Sequence, residues 1–280
     1  MRLSLSFIIR VSSYPLIFGL CSIALLLIAY GKLPYWPFAP VVAAIGIASI
    51  ALLEHIQPYE KDWLADHDDT FIDVLHAVFS LSMIFVTVEL VKYFRQVIHL
   101  PTLWPMHWPV WIQLLMAGAM IDFGLWFMHK QSHKRRFLWR LHAIHHNPER
   151  IYWLNGERRH PLSAILLAAP GIIIVVLLGV PATTIGCWMA ITAVHLAFQH
   201  ANLDYSVGPF RHLLGVAEVH RWHHKHGYAK ANFGEFWMIW DHLFGTFHYH
   251  NDKVKANDVG IRTKIPNGYI KQLLWPFHKN

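Results

Sequence analysis

Six apolar runs, at positions 14–30, 38–53, 72–91, 108–127, 161–180 and 181–199, constrain this chain more than anything else in it. Each is roughly 16–20 residues long with few charges, close to the roughly 20 residues that cross a bilayer as a helix. Four read as full spans. The first two are shorter and are separated only by GKLPYWP, so they read as a tight spanning hairpin or a re-entrant one; the last two are broken only by Gly179-Val180-Pro181. The composition agrees: 55% of the 280 residues are hydrophobic and 15% charged, where a soluble domain is about a quarter charged. The expected fold is an all-α integral membrane protein of four to six transmembrane helices, capped at the cytoplasmic face by helices that carry a histidine-rich di-metal site.

No internal repeat, low-complexity tract or domain boundary interrupts the pattern. Residues 1–280 read as one membrane domain, with membrane helices over 1–107, a histidine-motif catalytic region over 108–250 and a tail over 251–280. The N-terminal stretch lacks a small-x-small cleavage site before a polar region and reads as retained. Cys21 and Cys187 lie in separate apolar runs, which argues against a disulfide framework.

The net charge of +7 does not imply a nucleic-acid partner. With six spans and the N-terminus inside, only Lys32, Lys92 and Arg95 of the 24 Lys and Arg residues fall outside, as the positive-inside tendency requires. This predicts a cytoplasmic location for the loops that bear the histidines, and a basic face there for anionic headgroups or an acidic partner.

There are 22 histidines, and eight fall in three tight groups: His129 and His133 in HKQSH, His142, His145 and His146 in HAIHH, and His220, His223 and His224 in HRWHH. Residues three and four apart share a helix face, so each group is expected to aim its rings at one spot. All three groups lie on one side of the membrane. Eight imidazoles exceed the needs of one ion, and imidazole suits iron, zinc, copper and nickel. The site has no nearby cysteine, no HExxH motif and only one Glu-x-x-His spacing, Glu157–His160, so a closed structural zinc site, a zinc protease and a carboxylate-bridged di-iron bundle all fit poorly. A histidine-rich metal transporter is a remoter alternative. It would place ligands at the bilayer midplane, whereas these sit in basic loops that repel a cation.

The order H-x-x-x-H, H-x-x-H-H, H-x-x-H-H between membrane helices resembles the fatty acid hydroxylase / sterol desaturase superfamily of membrane di-iron oxygenases. Arg159-His160-Pro161, Gln199-His200-Ala201-Asn202, Asn232-Phe233-Gly234 and the run from Trp240 to Thr246 resemble its lesser marks, and the likeness covers roughly 112–247. The resemblance implies two iron ions, replaceable by zinc, that activate O2 to attack an unactivated C–H bond of a lipid: a sterol, fatty acyl, ether-lipid or isoprenoid-like substrate. Hydroxylation is the first expectation and desaturation the alternative. Carried over position by position, the implied ligands are His129, His133, His142, His145, His146, His200, His220, His223 and His224, with His160 a weaker tenth because a His-Pro pair also caps the helix that begins at Pro161. Asp122, one helical face with His129 and His133, and Asp241 are candidate carboxylates behind the ligand rings. No cytochrome domain is fused, so electrons are expected from a separate donor: cytochrome b5-like, ferredoxin-like or a reductase. The pocket walls are expected at the helix ends near Phe127, Pro161 and Gln199.

Overall fold

The structure is a computed structural model and describes residues 4–278. Six long helices run antiparallel: α1 (Leu5–Ala29), α2 (Tyr35–Ile56), α3 (Thr70–Val97), α4 (Val110–Lys134), α6 (Pro161–Leu178) and α7 (Ala182–His200). Between α4 and α6 lies the short α5 (Arg136–His146); α8 (Ala217–His224), α9 (Ile239–Leu243) and α10 (Tyr269–Leu274) follow α7. Among the described residues there is no strand, only three isolated bridges.

All the long helices but α7 are long and apolar enough to cross a membrane. The first two, expected to be short, have 25 and 22 residues and are among these five. Their outward side chains are apolar: Phe71, Phe79, Phe85 and Phe94 of α3 and Leu16, Leu20 and Ile23 of α1 stand exposed. In water such a surface would be an aggregation hazard, whereas in hydrocarbon it is solvated. The chain is a multi-pass integral membrane protein.

Local chemistry sets the ends of these helices. The Ser4 hydroxyl caps α1 by accepting from the Phe7 amide at 3.2 Å. Pro161 opens α6 at a position whose N–H is unneeded, and Gly179 closes it with φ +84°, a conformation that costs glycine nothing. Pro181 then starts α7, so α6 and α7 reverse within three residues. At the opposite end of the bundle, the α1 and α2 ends meet the segment after α7: Ser206 N donates to Arg10 O at 2.8 Å and Tyr59 N to Asn202 O at 3.0 Å. Here α1, α3 and α6 begin and α2, α4 and α7 finish, and α5, α8, α9 and α10 cover them as a cap.

Helix α4 packs on α6 and α7, and the contact with α6 is backbone to backbone. A Cβ on Gly171 would lie 2.5 Å from Ile121 Cα, and one on Gly124 2.5 Å from the Gly171 nitrogen. Close approach through small residues is how membrane helices gain contact without a hydrophobic drive. Gly171→Val is therefore expected to cost about 1–3 kcal/mol, the usual penalty of overpacking, and to lower the midpoint of thermal unfolding in detergent.

Candidate metal centre

Helix α4 carries His129 and His133 past its last apolar turn, α5 ends on His142, His145 and His146, α7 ends on His200, and α8 ends on His220, His223 and His224. All four helix ends meet inside the cap. The nine histidines form two groups: His129, His133, His142, His146 and His223 in one, His145, His200, His220 and His224 in the other. Within each group one nitrogen per ring lies within 4.8 Å of all the others.

Each H-x-x-H-H motif therefore divides between the groups, against the expectation that its three rings converge. With 3.6 residues per turn, positions i and i+4 differ by about 40° around the axis, while i+3 lies about 60° to the other side. His142 and His146 thus face one group and His145 the other. In α8 the assignment is reversed: His220 and His224 face the second group and His223 the first. The two groups are neighbours, with the rings of His146 and His224 4.4 Å apart.

Proton placement shows what the groups can hold. His129 donates from Nδ1 to Phe233 O at 2.9 Å, His223 to Ala231 O at 2.7 Å, His145 to Asn155 O at 3.1 Å and His200 to Leu196 O at 3.3 Å. A neutral imidazole has one N–H, so each of these rings presents a bare lone pair at Nε2. Yet the Nε2 atoms of His129 and His223 stand 3.0 Å apart, with His146 Nε2 3.1 Å from that of His223. In the second group His220 Nε2 lies 3.1 Å from His200 Nε2 and from His224 Nε2. The bare lone pairs of His129 and His223, aimed at each other without a proton between them, fit a shared cation, and the convergence of ring nitrogens in the second group fits another. The nitrogen donor set and the buried, partnerless His133 Nε2 fit a transition metal in each group.

Burial, and then the neighbouring rings, hold His142, His145, His146 and His220 well below the ordinary imidazole pKa; burial does the same for His223 and His224. These rings are neutral at physiological pH and ready to ligate. The unfolded chain takes up protons near pH 6.5 that the folded chain refuses, so unfolding is favoured as pH falls. Metal-free protein is expected to lose thermal stability as pH drops below about 6.5, the unperturbed histidine value, and a melting temperature flat from pH 7 to 5 would contradict these ring environments.

Backbone carbonyls, rather than carboxylates, orient these rings, and the two acidic candidates act one layer further out. Asp241 accepts from Phe233 N at 3.0 Å, Gly234 N at 2.7 Å and Thr246 Oγ1 at 2.5 Å. It thereby fixes the loop whose Phe233 carbonyl holds His129. Asp122 accepts from Phe236 N, Trp237 N and Trp240 Nε1 at 2.8–3.1 Å, tying the same loop to α4. His160 lies outside both groups. Its Nδ1 accepts from Leu162 N at 3.1 Å as the cap of α6, and its Nε2 donates to Leu273 O at 3.1 Å.

Two participants have no helical spacing to betray them. Glu235 is buried 3.5 Å from His129 Nδ1 and 3.5 Å from Arg159; its only sequence signal is that it follows Asn232-Phe233-Gly234. Asn155, whose carbonyl holds His145, is itself held by Asp73 of α3 through its side-chain amide at 3.1 Å.

The comparisons with known proteins agree with this geometry. A sequence profile of the family described as fatty acid hydroxylase matches residues 113–246, the stretch from α4 to Thr246 that builds the site. The chain is 33% identical over 251 residues to the ornithine lipid hydroxylase OlsE of Rhizobium tropici, covering 85% of this chain and 75% of that one. It is 26% identical over 200 residues to alkylglycerol monooxygenase of Homo sapiens, 67% of this chain but 42% of that protein. Against methylsterol monooxygenase 2-2 of Arabidopsis thaliana it is 26% identical over 163 residues, 57% of this chain and 58% of that one. No solved structure matches at a significant level. A bundle of membrane helices capped by two histidine groups, together with a relative of this identity and coverage, makes the conclusion direct: the chain belongs to the fatty acid hydroxylase family of membrane oxidoreductases.

Proposed function

We propose that this protein is a di-iron oxygenase that hydroxylates a C–H bond of a membrane lipid, with O2 as co-substrate. The observation that carries the reading is the convergence of nine ring nitrogens in two adjacent groups, with the bare Nε2 lone pairs of His129 and His223 facing each other at 3.0 Å. The nine histidines of those groups are the ligands, five to one iron and four to the other, and His160 is excluded because both its nitrogens are engaged elsewhere. When bound, the irons supply the O2 activation that an unactivated C–H bond requires.

The chain's own residues do the rest. The carbonyls of Ala231 and Phe233 hold the Nδ1 protons of His223 and His129, and those of Asn155 and Leu196 hold the Nδ1 protons of His145 and His200, which keeps each Nε2 directed inward. Burial of all but His133 keeps water from the ligands. Hydroxylation is favoured over desaturation because the three relatives described above are named for hydroxylation or monooxygenation. The catalytic region is 108–250 of a single domain. The cap faces the cytoplasm, a reading supported by the distribution of Lys and Arg, and a separate electron donor docks on its basic face near the exposed Lys134, Arg135 and Lys230.

The test is lipid profiling of cells with and without the gene, grown under labelled O2. A labelled hydroxyl on one lipid class is the expected result. A two-hydrogen mass loss without label would replace hydroxylation by desaturation, and a change confined to soluble metabolites would end the lipid reading.

A further inference from the structure

Helix α3 leans chiefly on α6, whereas α2 packs on α1 and α7. A groove is left between α3 on one side and α2 and α7 on the other, in the half of the bundle away from the histidines. Its volume is about 520 Å³, within the usual range of small-molecule sites. Phe85 and Val88 of α3 line it with Val176 of α6 and Ile185 and Met189 of α7. Phe85 is exposed, so the groove opens sideways onto the apolar surface that the bilayer solvates. Walls without atoms against them lose their dispersion contacts, and in hydrocarbon the atoms at hand are those of acyl chains.

The far end of the groove is polar and basic. Glu89, Lys92 and Arg95 from the last turns of α3 line it together with Tyr35 at the start of α2. Lys92 pairs with Glu89 at 2.9 Å, which leaves that pair neutral. Arg95 is half-buried and meets no carboxylate among the described residues; its Nη2 donates to Thr102 Oγ1 at 3.0 Å. The guanidinium lies against the α6–α7 turn, where a Cβ on Gly179 would come within 2.7 Å of Nη2. Leu103 N donates to Leu178 O at 3.0 Å, which ties the loop that carries Thr102 to the same turn. The Tyr35 hydroxyl sits against Gly186 of α7, 2.4 Å from where a Cβ would lie, and makes no hydrogen bond among the described residues. Charge placement along the whole chain gives these groups their meaning. Of the 24 Lys and Arg residues only Lys32, Lys92 and Arg95 belong to this end of the bundle, and two of the three line one groove. A chain that clears basic residues from one end yet keeps them at a lipid-facing cavity keeps them for an anion.

We propose that this groove binds an anionic phosphodiester lipid. One acyl chain lies along Phe85, Val88 and Met189, and the phosphate meets the Arg95 guanidinium, whose fork suits phosphate oxygens. The Tyr35 hydroxyl donates to a phosphate or ester oxygen. With Glu89 set against Lys92, one surplus positive charge remains, the complement of a single phosphodiester. A helix from a second copy of the chain would fill the apolar part and leave that charge uncompensated. The lipid joins α3 to α2 and α7, and the site stands apart from the histidine groups, whatever reaction they carry out.

The full-length, metal-loaded protein is delipidated in a neutral detergent and titrated with phosphatidylglycerol, with phosphatidylcholine of the same acyl chains, and with inorganic phosphate. Native mass spectrometry reads the lipid bound per chain, and thermal unfolding reads its effect on stability. Phosphatidylglycerol is expected to bind about fivefold more tightly than phosphatidylcholine, the size of one partly screened ion pair, and to raise the unfolding midpoint where inorganic phosphate does not. Arg95→Gln should erase the preference between the two lipids. Val88→Trp, on the groove wall, should remove binding at this site while metal content and elution volume stay as in the wild type; if its elution volume changes, Arg95→Gln alone decides. Equal affinity of the wild type for the two lipids, or a preference that survives Arg95→Gln, overturns the proposal. Stabilisation by inorganic phosphate equal to that by phosphatidylglycerol would make this a site for a free anion, and a two-chain elution volume after delipidation would make it an interface between copies; either result also overturns it.

Discussion

Replacing His223 by alanine is expected to abolish turnover and to reduce the metal content from two ions per chain towards one, with the fold retained. His223 belongs to the five-histidine group although its motif neighbours His220 and His224 belong to the other. Its loss removes the lone pair that faces His129 at 3.0 Å and His146 at 3.1 Å, and leaves His145, His200, His220 and His224 intact. The divided motifs make the prediction sharper. His142→Ala, in a different motif but the same group, should deplete the same ion, so the His142/His223 double variant should retain about one metal. The His145/His223 double variant touches both groups and should retain none. Elemental analysis of the purified variants decides the matter: if metal loss follows the motif and not the group, with His142 and His145 behaving alike, the division is wrong. Non-additivity within a group and additivity between groups is the pattern expected of coupled and separate sites.

The second large effect is structural. Asp73 of α3 is fully buried and accepts from the Arg158 guanidinium, from the Tyr152 hydroxyl at 2.7 Å and from the Asn155 amide at 3.1 Å. Removing one partner of a buried ion pair strands the other charge, which costs about 3–5 kcal/mol. Asp73→Ala should therefore sharply lower the unfolding midpoint in detergent. It should also weaken metal binding at the second group, because Asn155 carries the carbonyl that holds His145. Adding Arg158→Met removes the stranded charge and should recover part of the stability without recovering the metal. A double variant no more stable than Asp73→Ala would mean that the buried arginine is satisfied in some other way.

His76 shows how burial and isolation differ. In the sequence it stands alone in an apolar run, yet in the fold its ring nitrogens lie 3.0 Å from Arg159 O and 2.9 Å from Gln272 Oε1. It joins α3 to the segment before α6 and to α10, near the histidine groups but with no part in them.

What the sequence determined by itself is whatever depends on local chemistry. Runs of apolar residues can satisfy their backbone in hydrocarbon only as helices, so the all-α membrane fold is written in positions 14–199. Spacings of three and four place imidazoles on one side of a helix, so the three clusters and their number were legible too, and with them the family. Which rings share an ion was decided only by the tertiary structure, because the 100° between His145 and His146 points them at different partners, supplied by α7 and α8 from far along the chain. The same holds for Asp122 and Asp241, which hold a loop and no ring, for Glu235 and Asn155, and for the groove between α3 and α7. Each is a contact between elements that no local periodicity encodes, set by which helix faces pack together when the bundle closes.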